Sequence, residues 1–294
     1  MTVDGIGSCI GEKINPPAGS EAGIRKLGYV RVAQRLDQAL RGGKITKYSG
    51  YDKMNHKKFS KLYSYSRVSR YVKAANGDKR KAQRMYYANA RIAQAFQPLL
   101  SFFEVILRNQ LHYALAAHFS DVQWLINQKT GFMSDPSLTH TVKKTKKVVV
   151  NDFLKKEVER SERSLLSKKR NVTAGRVIAE LNLGFWNSLY ETHHYALLKG
   201  VPCQIFKSLP SGYGRKEVNA AIQEIRTLRN RVSHNEPLCF KDKAFDMAYA
   251  KDMYVMISNF LGWISPEIMV SLRNESLDGV SSEIAKAEAI LVSG

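Results

Sequence analysis

The sequence predicts an all-α helical bundle with a basic, partly helical amino-terminal extension. Three observations carry this prediction. Residues 81–119 place apolar side chains at mixed spacings of three and four, the period of a buried helix face. The segments 174–198, 215–234 and 243–264 repeat that period. No strand-like alternation of useful length follows residue 50, and no internal repeat recurs at solenoid spacing, so the helices are expected to share one core.

Taken in order, residues 1–24 are rich in Gly, Ser and Pro and are expected to be disordered. The segment RKLGYVRVAQRLDQAL at 25–40 resembles the opening strand and helix of a serine recombinase, but Ala33 stands where the nucleophilic serine would fall. It reads as a coincidence or an upstream remnant, with a natural start near Met54. Residues 25–79 form a basic amino-terminal region, 80–270 the helical domain, and 271–294 a carboxy-terminal tail.

Within 81–119, Pro98 is expected to break or kink the helix, because proline lacks the amide donor and its ring clashes with the preceding turn. Beyond it Leu99, Phe102, Phe103, Ile106 and Leu107 form an apolar stripe that Leu111, Tyr113 and Leu115 extend. Glu104 and Arg108, four residues apart, are placed to pair on one helix surface and so steady the bundle. Residues 137–170 follow an Asp135 or Ser137 start signal and are polar with a narrow apolar line, which predicts a long, exposed, basic helix. Pro210, Gly212 and Gly214 mark a loop before RKEVNAAIQEIRTLRNRVSH at 215–234.

The net charge of +20 is unevenly spread. Residues 25–91 hold 19 lysines and arginines against Asp37, Asp52 and Asp78, and 137–170 hold 11 against four acidic residues. The rest of the chain is close to neutral. A regional excess of this kind attracts a polyanion by releasing its condensed counterions, so nucleic acid is the expected partner and an anionic membrane the weaker one.

The cysteines Cys9, Cys203 and Cys239 lack metal-ligand spacing, and the pairs His193–His194 and His112–His118 lack a third ligand, so no metal or cofactor is expected. No apolar run approaches the roughly 18 residues that span a bilayer, and the amino terminus lacks a signal-peptide pattern. The expected location is the cytoplasm.

The candidate site is IRTLRNRVSHNEPL at 225–238. Ile225, Leu228 and Val232 share the core face of a helix; Arg226, Arg229, Asn230, Ser233 and His234 lie on the other side. Histidine titrates near neutral pH and can move the proton of a ribose 2′-OH, while a planar guanidinium holds phosphoryl oxygens. Such a pair would cleave RNA without a metal, leaving a 2′,3′-cyclic phosphate and a 5′-hydroxyl, and would spare DNA. Spacing alone is a weak signal, because 19 arginines and seven histidines supply about 0.45 such pairs by chance. Arg229 and His234 also stand about 140° apart on an ideal helix, so the site needs a distorted helix end, which Pro237 favours, or a second subunit.

RTLRNRVSHNEPL resembles the R-N-x-x-x-H motif of HEPN ribonucleases, in the form carried by Abi-like abortive-infection proteins. GFWNSLY at 184–190 resembles their aromatic segment, and FEVILRNQLHYAL at 103–115, followed by Trp124, resembles their first helix. The likeness covers roughly residues 80–264; it departs at Asn235, where the common form has a second histidine. The resemblance implies a HEPN-type bundle, a metal-independent endoribonuclease, and a homodimer whose motif helices face each other. It also implies phage defence as a growth-arresting or toxin–antitoxin ribonuclease, controlled by a partner RNA or protein.

Carried over, His234 would be the general base or acid, Arg229 the phosphate clamp and Asn230 an orienting group. Glu104, Arg108 and Asn109 would support them. Lys143, Lys144, Lys146, Lys147, Arg226 and Arg231 are candidate RNA contacts, whereas Phe185 and Trp186 read as core. The alternative from a different class is a non-catalytic RNA-binding scaffold that keeps the bundle.

Overall fold

The computed structural model describes residues 54–141 and 144–292. The expectations for residues 1–24, for the recombinase-like segment at 25–40 and for Lys143 lie outside the described residues. Twelve α-helices are present among those described, so the architecture is the all-α bundle the sequence predicts.

Helices α1 (His56–Tyr63) and α2 (Tyr65–Ala74), joined at Ser64, contact one another and precede α3 (Lys79–Phe119), the 41-residue axis of the bundle. At 1.5 Å per residue α3 is about 60 Å long. Asp78 caps its start: the carboxylate accepts from the Arg80 and Lys81 amides at 2.8 and 2.9 Å, and these bonds hold its pKa below the usual carboxylate value. Every three to four residues along α3 a side chain enters the core, from Met85 and Ile92 through Phe96, Phe103 and Leu107 to Leu115. Pro98 sits inside this helix without ending it, so the break, one of the two expected outcomes, does not occur. Buried Phe96, Leu99, Leu100 and Phe103 bracket the proline, and their packing outweighs the roughly 3 kcal/mol it costs in a helix interior.

After α4 (Trp124–Asn127) the structure departs most from the sequence reading. Residues 137–170 are not one long helix. Asp135 and Pro136 open a turn of 3-10 helix, strands β1 (Thr139–Thr141) and β2 (Val148–Val150) pair antiparallel, and only then does α5 (Phe153–Ser167) begin. The valines and threonines are β-branched, which favours a pleated strand over a helix, and lysines occupy the connection. Three short helices follow, α6 (Ala174–Glu180), α7 (Leu183–Ser188) and α8 (Thr192–Leu197). Then comes α9 (Arg215–Ser233), the motif helix, opened by the Glu217 carboxylate accepting from the Gly214 amide at 3.0 Å.

A second ribbon, β3 (Phe240–Lys241) with β4 (Ala244–Phe245), takes residues that periodicity assigns to the last core helix, which starts later as α10 (Ala248–Ile264). Helices α11 (Glu267–Asn274) and α12 (Val280–Val292) complete the described chain. The carboxy-terminal stretch is therefore not a loose tail: α12 lies on α3 and buries Val280, Ile284, Ala287 and Ile290. The boundary at residue 80 is equally absent from the packing, since Phe59, Val68 and Tyr71 of α1 and α2 are buried within the same unit as α3. Among the described residues no single helix is long and apolar enough to cross a membrane.

Candidate functional site

The three segments that carry the resemblance lie far apart in the chain and meet in the fold. FEVILRNQLHYAL lies in α3, GFWNS in α7 and the motif in α9, and each of these helices packs on the other two. α7 is held by its interior: Phe185 and Trp186 are fully buried, as expected of core residues, and Asn182 caps the helix by accepting from the Phe185 amide at 3.2 Å. Gly184 faces α9. A Cβ there would stand 2.8 Å from Asn182 Oδ1 and 3.5 Å from Arg226 Cζ, so glycine lets the motif helix and its arginine lie close to the cap.

On α9, Val218, Ile222, Ile225, Leu228 and Val232 are buried, which leaves the polar residues toward the rim. The Arg229 side chain, 35% exposed, reaches across to α3: its Nε lies 3.8 Å from Glu104 Oε2, and a guanidinium NH donates to Asn230 Oδ1 at 3.4 Å. Glu104 thus pairs with Arg229, not with Arg108 as its spacing suggested. Arg108 is half-buried, and its Nε is buried with no hydrogen-bond partner among the described residues. An unpaired guanidinium N–H in such a place is costly unless a further acceptor reaches it. Asn109 is half-buried on the same helix.

Arg226 donates to Gln223 at 3.4 Å, and Gln223 accepts from Asn187 of α7 at 3.3 Å, linking the two segments by a polar chain. Arg231 points away from this cluster; its guanidinium lies 4.7 Å from the centre of the Tyr249 ring, a cation–π contact that competes with its expected use on RNA. Lys144, Lys146 and Lys147 are exposed in the connection between β1 and β2.

The helix end is orderly. His234 is the C-cap with φ −95°, and Asn235 follows in the left-handed region at φ 48°. The Asn235 amide donates to Val232 O at 3.2 Å and the Glu236 amide to Arg231 O at 2.8 Å, the paired bonds of a Schellman termination. The helix is regular through Ser233, so the expected distortion falls after His234. His234 is exposed, and about 140° separates its position from that of Arg229 on a regular helix.

Side chains that spacing did not reveal hold this turn in place. Asn89, buried on α3, accepts from the Leu238 amide at 2.6 Å and donates to Glu236 O at 3.2 Å. The Asn235 side chain donates to the Tyr86 hydroxyl at 3.2 Å, and Arg67 of α2 donates to the Asn235 carbonyl at 3.4 Å. Asn235 therefore serves here as a turn residue. A buried asparagine in an apolar helical run was the available signal.

His112 and His194 are structural. Trp124 Nε1 donates to His112 Nδ1 at 3.1 Å, and burial lowers the His112 pKa. His194, fully buried, is bonded through Nδ1 to Ser188 O at 2.9 Å, and burial lowers its pKa as well. Burial raises the Cys239 thiol to about 12, which keeps it protonated and unreactive.

Fold and site together define a helical-bundle protein with an arginine- and carboxylate-bearing junction of three helices and an exposed histidine at the end of one of them. The family model for Abi-like protein matches residues 44–239, and the chain belongs to that family. The match takes in the basic region before residue 80 as well as the motif helix. The family suggests a role in abortive infection, a form of phage defence. No curated protein and no solved structure matches the chain.

Proposed function

We propose that the chain is a HEPN-type, metal-independent endoribonuclease acting in the cytoplasm as a homodimer, its toxicity restrained by a bound RNA or protein. The observation that carries this reading is the convergence of FEVILRN, GFWNS and RNRVSH on one junction, with the Arg229 guanidinium set by Glu104 and His234 at the open helix end.

In one copy the two groups are angularly separated, so the productive arrangement pairs two motif helices. His234 takes the 2′-OH proton, the 2′-oxygen attacks its own phosphorus, and the 5′-oxygen leaves with a proton from the second copy's His234. Arg229 holds the non-bridging oxygens while negative charge builds on them. Arg108, whose Nε is buried and unpaired, would support Arg229 in holding the phosphate.

The test is a labelled single-stranded RNA incubated with pure protein in EDTA. Cyclic-phosphate and 5′-hydroxyl ends are expected, with a loss of about 10³-fold in His234→Ala. Cleavage by His234→Ala at the wild-type rate, or equal cutting of a 2′-deoxy substrate, would overturn the reading.

One observation favours the alternative of a non-catalytic RNA-binding scaffold: Arg229 is already engaged by Glu104. That reading expects Arg229→Ala to weaken RNA binding with no cyclic-phosphate product from the wild type.

A further inference from the structure

Residues 56–91 carry 11 lysines and arginines and a single acidic residue, Asp78. Such an excess is ordinary if ion pairs consume it; Arg91 pairs with Glu283 at 3.3 Å, but six of the other cations have no such pair. Lys57, Lys61, Arg67, Arg70, Lys73 and Arg80 are exposed and make no ion pair with any described carboxylate. Lys57 and Lys61 stand four apart on one side of α1, a helix that carries no acidic residue to oppose them.

Arg67 and Arg70 of α2 are partly engaged, but by groups that leave their charge uncompensated. Arg67 donates to the Asn235 carbonyl at 3.4 Å; Arg70 donates to the Asp242 carbonyl at 3.1 Å and lies 4.5 Å from the centre of the Phe240 ring. Each guanidinium has five N–H donors, so most remain for phosphate oxygens. The two arginines also fix where this surface lies: α2 borders the turn that follows His234.

Tyrosines stand among the cations. Tyr65 is 59% and Tyr87 39% exposed, and Tyr87 packs edge-on against Phe59, Tyr63 and Tyr86 of an aromatic cluster in which Phe59, Tyr71 and Tyr86 are buried. Exposed aromatic faces among unpaired cations suit single-stranded nucleic acid, whose unpaired bases stack on the rings while its phosphates meet the charges. A duplex hides those base faces, and a membrane surface calls for charge without stacking.

We propose that α1, α2 and the first turns of α3 form a docking surface for single-stranded RNA that leads into the His234 turn. This rests on the ribonuclease reading for its purpose but not for its measurement. An RNA strand lying along α2 reaches Arg67, then the Asn235 carbonyl that Arg67 holds, and then the histidine next to it in the chain.

The test measures binding of a fluorescent oligouridine of about 16 nucleotides to full-length His234→Ala protein across a salt series. Combined Lys57→Gln, Lys61→Gln and Lys73→Gln should raise Kd at least tenfold at 0.1 M salt and reduce the log–log salt slope by about 2, at roughly 0.7 for each phosphate no longer neutralised. Lys57→Arg, Lys61→Arg and Lys73→Arg together should bind as the parent, which separates charge from misfolding. Tyr65→Ala and Tyr87→Ala should each weaken binding about threefold or more. Glutamine variants that bind as tightly as the parent would overturn the proposal, as would duplex RNA competing as well as single strand. Equal loss on neutralising Lys156, Arg160 and Arg163 of α5 would also overturn it. If the glutamine set abolished capture by phosphatidylserine vesicles while RNA binding held, the surface would be a membrane contact instead. Binding that falls as expected in a wild type that never cuts RNA sinks the nuclease reading alone; cutting with unchanged binding sinks the docking surface alone.

Discussion

Two basic regions of this molecule, 56–91 and 137–170, hold 11 lysines and arginines each and differ in how those charges are paired. On α5 and its surroundings the cations are met by carboxylates: Lys156 with Asp152 at 2.9 Å, Arg160 with Glu157 at 3.6 Å, Lys168 with Glu180 at 2.9 Å, and Lys129 with Glu162 at 2.6 Å. The bonds from Lys168 and Ser164 hold the Glu180 pKa below its usual value, a sign that the carboxylate is stabilised in its charged form. On α1 and α2, Arg67 and Arg70 reach backbone carbonyls, and Lys57, Lys61 and Lys73 stand exposed with no ion pair to a described carboxylate. The difference teaches that a count of lysines and arginines does not locate a polyanion site. What locates it is whether acidic residues recur within three or four positions, as they do at Asp152, Glu157, Glu159 and Glu162 and do not between His56 and Arg91 apart from Asp78.

The comparison can be strained first where the amino-terminal region meets the motif turn. Asn89→Ala removes one buried and one part-buried hydrogen bond at once and strands the Leu238 amide away from water. A loss of about 3 kcal/mol is expected from urea denaturation, the largest stability effect considered for either region. Asn89→Asp keeps an acceptor for Leu238 and loses the donor, so a smaller loss should follow. Equal stability for Asn89→Ala and the wild type would mean that the turn is held by Tyr86 and Arg67 instead.

Next comes the best-buried pair of the other region. Lys129 Nζ donates to both Glu162 oxygens, at 2.7 and 2.6 Å, with side chains only 22% and 15% exposed. Lys129→Ala leaves a half-buried carboxylate without its partner, so about 1–2 kcal/mol of stability should go, again read from denaturant midpoints. RNA affinity should stay within twofold, because a carboxylate already neutralises this charge.

Much of this was legible in the sequence, and the failures have physical causes. The helical period of 81–119 and the core face Ile225–Leu228–Val232 are local patterns, and the structure reproduces both. Of the break or kink expected at Pro98, the break does not occur, because burial on both flanks overrides a local penalty. The long helix at 137–170 failed because charge count masked the β-branched run VVV. Spacing matched Glu104 with the wrong arginine because positions within one helix say nothing of a neighbour from another, and Arg229 stands 125 positions away in the chain. The helix end, by contrast, was written in HNEP: an asparagine that tolerates the left-handed region, with a proline two residues on, is the signature of a terminated helix and argues against a distorted one.

The smallest expected effect bears most directly on the comparison. Arg160 and Arg163 are 77% and 69% exposed, and their partners Glu157 and Glu159 lie 3.6 and 4.0 Å away. Exposed pairs at these separations gain little, because water screens the attraction and two flexible side chains must be held in place. Replacing both arginines with alanine should change stability by no more than about 0.5 kcal/mol, and the change should shrink as salt rises. The same variant tests the electrostatic argument, since it frees two carboxylates on a helix that had been locally neutral. If α5 is a balanced surface, RNA binding should fall by twofold at most, and the salt slope should hold. A large fall would show that pairing does not remove these arginines from phosphate recognition, and the distinction between the two basic regions would fail with it.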